Sequence, residues 1–204
     1  MRFTLVHSPL VGALTWAGVG AELQARGHDA VIASIDDTEP CDVLVGHSGA
    51  GPWLPIIAAR CEVSPALVFV DAPVPPTAGV AALIPTEFYA HLARLAADGM
   101  LPKWSEWFGS GVMETLVPDA ELRAELVGEM PGLPLAYFDQ VLHLPPHWSD
   151  ARCGYVLLSA PYNNDAAESR LRGWPVVELD STHLGIVTDP PAVTSALLQV
   201  SGPA

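Results

Sequence analysis

Three side-chain types that together activate an oxygen nucleophile stand at telling places in this chain of 204 residues: Ser48 among glycines, a late His183, and the carboxylates Asp71 and Asp165. Ser48 lies in Gly46-His47-Ser48-Gly49-Ala50-Gly51, after the apolar run 42–46 and before a segment of helical spacing. Small residues on both sides of a serine let a strand turn sharply into a helix, and such a turn holds the hydroxyl clear of the sheet. The fifth position of the usual G-x-S-x-G spacing is Ala50 here, with glycine one place later at Gly51. A serine hydroxyl is a weak nucleophile at neutral pH and needs a base to accept its proton, for which histidine is suited. His183 follows the last apolar run in the short loop Ser181-Thr182-His183-Leu184-Gly185. A carboxylate should orient that histidine and stabilise its imidazolium form. Two compete for the role. Asp71 ends the run 66–71, whereas Asp165 follows the run 154–159 beyond Asn163 and Asn164 and could equally cap a helix. A third outcome is that no carboxylate completes the set.

Such groups need a scaffold, and the rest of the chain describes one. Six short runs, 3–7, 29–35, 42–46, 66–71, 154–159 and 175–180, read as strands, and most are continuously apolar, as strands buried on both faces are. Between them, 14–26, 52–62, 166–172 and 191–200 have helical spacing. Alternation of this kind predicts an α/β fold in one domain, 1–204, with a parallel sheet of about six strands and helices on both faces. Gly27 and Gly173 follow helices, and Asp189 with Pro190 makes an N-cap and first turn. Over 75–150 the strand rhythm stops, and the chain becomes helical, Pro-rich and aromatic. This insertion is expected to roof the strand ends as a lid, with Trp104 and Trp107 among the residues facing a substrate.

Composition removes several classes of function. Half of the residues are hydrophobic, enough to bury a sizeable core. A net charge of −14 with Lys103 as the sole lysine argues against nucleic-acid or anionic-membrane partners. No run approaches the roughly 18 apolar residues of a membrane span, and MRFTLVHSPL lacks the apolar core of a signal peptide, so cytoplasmic residence is expected. Cys41, Cys61 and Cys153 are scattered and odd in number, which suggests neither a disulfide framework nor a zinc site. His143 and His147 have helical ligand spacing, but Pro145 and Pro146 break any helix between them. No metal or organic cofactor is expected.

With these residues in view, the chain resembles the α/β-hydrolases. LVHSPLVGALTW is similar to their oxyanion loop, with Ser8 where glycine is usual and Trp16 in step, CDVLVGHSGAG to their nucleophile strand and turn, and STHLGIVTDP to their histidine loop. The pattern GWPV…HL…DP also resembles small actinobacterial relatives. The resemblance implies a pared-down member without the first two strands and without the helix before the nucleophile strand. It further implies Ser48 as nucleophile, His183 as base and Gly49 N–H as first oxyanion donor. The second donor would fall at Pro9, which has no N–H, so Leu10 or Val11 must substitute. His47 would line the pocket or simply pack.

The expected function is that of a serine hydrolase acting on an ester, thioester or similar acyl bond of a small apolar molecule. Two alternatives stand beside it: a lyase or cyclase using the same pocket for proton transfer, and a non-catalytic binder. Substrate identity and a homodimeric state are left open by the sequence.

Overall fold

The computed structural model describes residues 1–37 and 39–202. Its centre is a six-stranded, wholly parallel sheet built from β1 (Arg2–Val6), β2 (Asp29–Ala33), β3 (Val43–His47), β4 (Ala66–Val70), β7 (Cys153–Leu157) and β8 (Val176–Glu178). The strand order is β2-β1-β3-β4-β7-β8. The chain starts in the middle, steps outward to β2, and then returns across β1 to build the other side. The order therefore reverses between β1 and β3, and loops leaving the carboxyl ends of those two strands must splay apart into a crevice.

Alternation along each strand sends side chains to two cores. Phe3, Leu5, Val43, Val45, Val68, Val70 and Val156 face helices α1 (Ala17–Ala25) and α8 (Pro190–Ser201), and pack on Trp16, Leu23, Val193 and Leu197. Val6, Leu44, Leu67, Phe69, Tyr155 and Leu157 face the short helix α2 (Leu54–Ala58) and α6 (Asn163–Leu171). Strands β3, β4 and β7 are buried along their whole length, which is why their sequences are almost uninterruptedly apolar. The Asp189 carboxylate accepts from Ala192 N–H at the start of α8, the cap foreseen from Asp189-Pro190.

Segment 75–150 differs from the all-helical expectation. It contains α3 (Thr86–Leu95), α4 (Val112–Leu116) and α5 (Ala120–Glu129), but also a two-stranded antiparallel ribbon, β5 (Gly79–Ala82) paired with β6 (Val141–Leu144). Strand β5 is short and largely exposed, and β6 is a four-residue strand that buries Leu142 and Leu144 while Val141 and His143 face outward, so neither carries the continuous apolar run of a strand buried on both faces. The ribbon brings the two stems of the segment together. Trp148 Nε1–H donates to the Pro76 carbonyl at 3.0 Å, and Arg172 Nη1 donates to the Pro75 carbonyl at 3.0 Å while its guanidinium lies 5.9 Å and 5.3 Å from the Trp148 and Trp174 rings. Beyond the stems, Leu83, Leu92, Trp104, Trp107, Met113 and Phe138 form a third apolar core with Val11 and Leu184 of the main domain. The Glu129 carboxylate at the end of α5 accepts from Leu14 N–H at 2.9 Å, tying the segment to the loop after β1.

Candidate active site

Ser48 follows β3 directly and has φ 54, a left-handed conformation that a serine adopts only where its surroundings enforce it. The enforcement is tight packing of the turn. A Cβ on Gly51 would stand 2.6 Å from Ala72 Cβ and 2.9 Å from the Pro73 carbonyl, so glycine is needed at residue 51. Ala50, by contrast, is fully buried without conflict, which accounts for the displaced glycine of the motif. After the turn the chain runs as a 3-10 helix, Ser48–Trp53, and only then as the five-residue α2. The long helix expected over 52–62 is thus two short pieces, because Pro52 and Pro55 remove amide donors. The turn after Ser48 therefore leads into no long helix, and Gly49 N–H belongs to the first turn, where an amide has no acceptor within the helix.

His183 stands between Ser48 and Asp71. Its Nε2 is 3.0 Å from Ser48 Oγ and its Nδ1 is 2.7 Å from Asp71 Oδ2. A carboxylate only accepts, so the Nδ1 bears the hydrogen, and Nε2 is left bare to accept from the serine hydroxyl. Asp71 is fully buried at the end of β4 and has φ 44, a second left-handed residue. Burial alone would raise its carboxyl, but hydrogen bonds from His183, Ser159 Oγ and Leu158 N–H outweigh it and hold the group below its ordinary range. Leu158 and Ser159 N–H donate to Oδ1 at 2.8 and 2.9 Å, and the Ser159 hydroxyl donates to Oδ2. The Tyr155 phenol braces the same corner by donating to the Ala72 carbonyl at 3.0 Å and accepting from Ala72 N–H at 3.2 Å.

Asp165 does not reach His183. Its Oδ1 accepts from Val74 N–H at 2.8 Å, and burial raises its carboxyl above the ordinary range, with a smaller push from Asp71. It lies in the first turn of α6 and serves the chain crossing above it. His47 is likewise away from the cavity. Being in register with Val43 and Val45, it points to the α1 face, where its ring meets Trp16 at 6.1 Å and His183 at 4.6 Å. Its Nε2–H donates to the His183 carbonyl at 2.9 Å, while Nδ1 is buried without a partner. Burial, helped by the neighbouring His183, pushes its pKa down to about 3. Packing is therefore its place, together with support of the histidine loop.

The cavity over Ser48 has a volume of about 850 Å³. Its walls are mainly apolar, from Leu83, Phe88, Trp104, Trp107, Phe108 and Phe138 of segment 75–150, and no Lys or Arg is among the described residues that line it. Trp104 stands 5.9 Å from the His183 ring. Pro9 and Leu10 line the opposite side, but Leu10 N–H is already donating to Ser8 Oγ at 3.3 Å, and Val11 N–H to the Ser8 carbonyl at 3.2 Å. Neither substitute for the missing Pro9 donor is free. Two residues escaped sequence reasoning. Ser159 lies two residues past the end of β7, ahead of Asn163 and Asp165, and Tyr162 stacks on His183 at 5.2 Å and 11° with its phenol against Ser48. Burial pushes that phenol up to about 12, partly offset by the Ser48 hydroxyl, so it stays a donor. A tyrosine just past the penultimate strand was the only available signal. Among the described residues no group of His, Cys, Asp and Glu could hold a metal, and no helix is long and apolar enough to cross a membrane.

No family model matches the sequence, and no curated protein does. Solved structures match throughout. An extracellular alpha/beta-hydrolase from a Paenibacillus species, described as a structural and functional homologue of tobacco salicylic acid binding protein 2, is 17% identical with TM-score 0.76 and 100% of both chains covered. Polyneuridine aldehyde esterase is 17% identical with TM-score 0.72, over 98% of this chain and 99% of the other. Tomato methylketone synthase I, bound to 2-tridecanone, is 15% identical with TM-score 0.70, over 98% and 96%. Agreement over whole chains, joined to the parallel strand order β2-β1-β3-β4-β7-β8, shows that this chain has the α/β-hydrolase fold.

Proposed function

We propose that the protein is a serine hydrolase that cleaves a carboxylic ester or similar acyl bond of a small, neutral, apolar substrate. The observation that carries this reading is the continuous chain Ser48 Oγ, His183, Asp71, with contacts of 3.0 and 2.7 Å, opening into an apolar cavity. Ser48 attacks the acyl carbon, its proton passes to His183 Nε2, and Asp71 stabilises the imidazolium so formed. Collapse of the tetrahedral intermediate expels the alcohol, which takes that proton, and water then releases the acid by the same steps in reverse. The absence of Lys and Arg from the described lining, with Asp165 on the cavity wall, disfavours substrates carrying a free carboxylate or phosphate. Segment 75–150 acts as a lid that excludes water and selects the acyl and alcohol groups.

The test is labelling with a fluorophosphonate and location of the adduct by mass spectrometry, beside turnover of p-nitrophenyl esters. An adduct on Ser48 that vanishes in Ser48→Ala and His183→Ala, with ester turnover lost in both, is the expected result. Folded wild-type protein that neither labels nor turns over any ester sinks the reading. A second reading, proton-transfer chemistry without an acyl-enzyme, is favoured by Pro9 standing where an oxyanion donor belongs and by the likeness to a methylketone synthase. It predicts an active enzyme that the phosphonate does not label.

A further inference from the structure

A tetrahedral intermediate on Ser48 places a negative oxygen beside Gly49, and one N–H is rarely sufficient to hold it. The wall facing Gly49 across the switch point is the loop after β1, and its backbone offers nothing. Pro9 has no N–H, and its Cδ, which replaces the amide hydrogen, lies 3.9 Å from the place of a Cβ on Gly49. Leu10 and Val11 N–H are both turned back onto Ser8. Ser8 Oγ, however, is nearer than the proline ring, 3.0 Å from that same Cβ position. Ser8 is almost fully buried yet lines the cavity together with Ser48 and His183. Its hydroxyl accepts from Leu10 N–H, and among the described residues it donates to no acceptor. An oxygen that accepts one hydrogen bond becomes a better donor of its own hydrogen.

Resting on the hydrolase reading above, we propose that the Ser8 side-chain hydroxyl is the second oxyanion donor, taking the part that the backbone at Pro9 cannot play. When Ser48 Oγ bonds to the acyl carbon, the carbonyl electron pair moves onto oxygen and is held between Gly49 N–H and Ser8 O–H. Ser8 keeps its proton throughout, and the serine proton resides on His183 until the alcohol leaves. Serine at residue 8 and proline at residue 9 are then a matched pair: the proline ring closes the backbone route, and the serine hydroxyl opens a side-chain route.

The experiment uses p-nitrophenyl butyrate and an alkyl trifluoromethyl ketone, which forms a tetrahedral oxyanion adduct with an activated serine, on wild type, Ser8→Gly and Ser8→Gly/Pro9→Ala. Loss of one such donor is expected to lower kcat by about 100-fold. Ser8→Gly should show that fall with KM changed less than about threefold, and the ketone inhibition constant should weaken in proportion to kcat/KM. Pro9→Ala in the Ser8→Gly background restores an amide hydrogen at residue 9 and should recover about tenfold of the lost kcat. Ser8→Gly with unchanged ketone inhibition, or with loss confined to KM, overturns the role of Ser8 while leaving the hydrolase reading intact. Wild type that forms no ketone adduct on Ser48, read by 19F NMR, overturns both.

Discussion

Two carboxylates crowd the same corner, and their surroundings separate them. Asp71 takes its hydrogen bonds from His183, Ser159 and backbone N–H groups, whereas Asp165 is spent on Val74 N–H and is raised by burial. Asp71→Asn should lower kcat by about 10⁴-fold, since an amide no longer fixes the tautomer of His183. Asp165→Asn keeps an oxygen for Val74 and should leave kcat within about threefold, with equal or slightly higher Tm because a buried carboxylate is removed. Ester kinetics and thermal melts on both variants check this. Stability against pH follows from the same residues. His47 is depressed to about 3 from an ordinary 6.5, so the unfolded chain binds a proton that the native state refuses, and stability falls as pH drops from about 6.5 toward 3. Asp71 is depressed below 3.8, so its contribution is complete above that value and is lost as pH falls through its native value. His47→Gln, which keeps a donor for the His183 carbonyl, should flatten the decline of Tm between about pH 6 and pH 4. Ser48 and His183 were legible because the motif and the late loop are local patterns. The choice between Asp71 and Asp165 was not, since it depends on which strand ends adjoin in space.

Strand order decides that adjacency. β4 lies between β3 and β7, so Asp71, the residue that follows it, sits among Ser48, Ser159 and the histidine loop without any long reach. The strands themselves were readable as apolar runs, because burial on both faces leaves little room for polar residues, whereas β5, largely exposed, and β6, which buries only Leu142 and Leu144, carry no such signature. At the turn after β3, Gly51→Ala would drive a Cβ into Ala72 and the Pro73 carbonyl. Overpacking of this kind costs about 1–3 kcal/mol, and the backbone it displaces carries Asp71. We expect a Tm lowered by several degrees together with a fall in kcat that exceeds any change in KM, measured by calorimetry and ester turnover. Ser159→Ala removes one of the donors to Asp71 and should lower kcat by a smaller factor, about tenfold, because two backbone donors remain.

At the scale of the molecule, charge and connectivity both bear on what reaches Ser48. A net charge of −14 repels anions at long range, and this field is screened by salt. Between otherwise similar esters, kcat/KM should rise with ionic strength for one bearing a distant carboxylate and fall for one bearing a quaternary ammonium, which stopped-flow or steady-state rates over a salt series will report. Connectivity concerns segment 75–150. Its two stems are held side by side by the β5–β6 ribbon, the Trp148 bond to Pro76 and the Arg172 bond to Pro75. The ends of the intervening chain are thus already joined before any of its helices is counted. Lengthening or shortening a loop whose ends are fixed changes its closure entropy only logarithmically, by about 0.6 kcal/mol per doubling. The stems act as a socket: the chain between them can be exchanged at small entropic cost while the sheet beneath keeps its register, so what the protein accepts can diverge far faster than how it reacts.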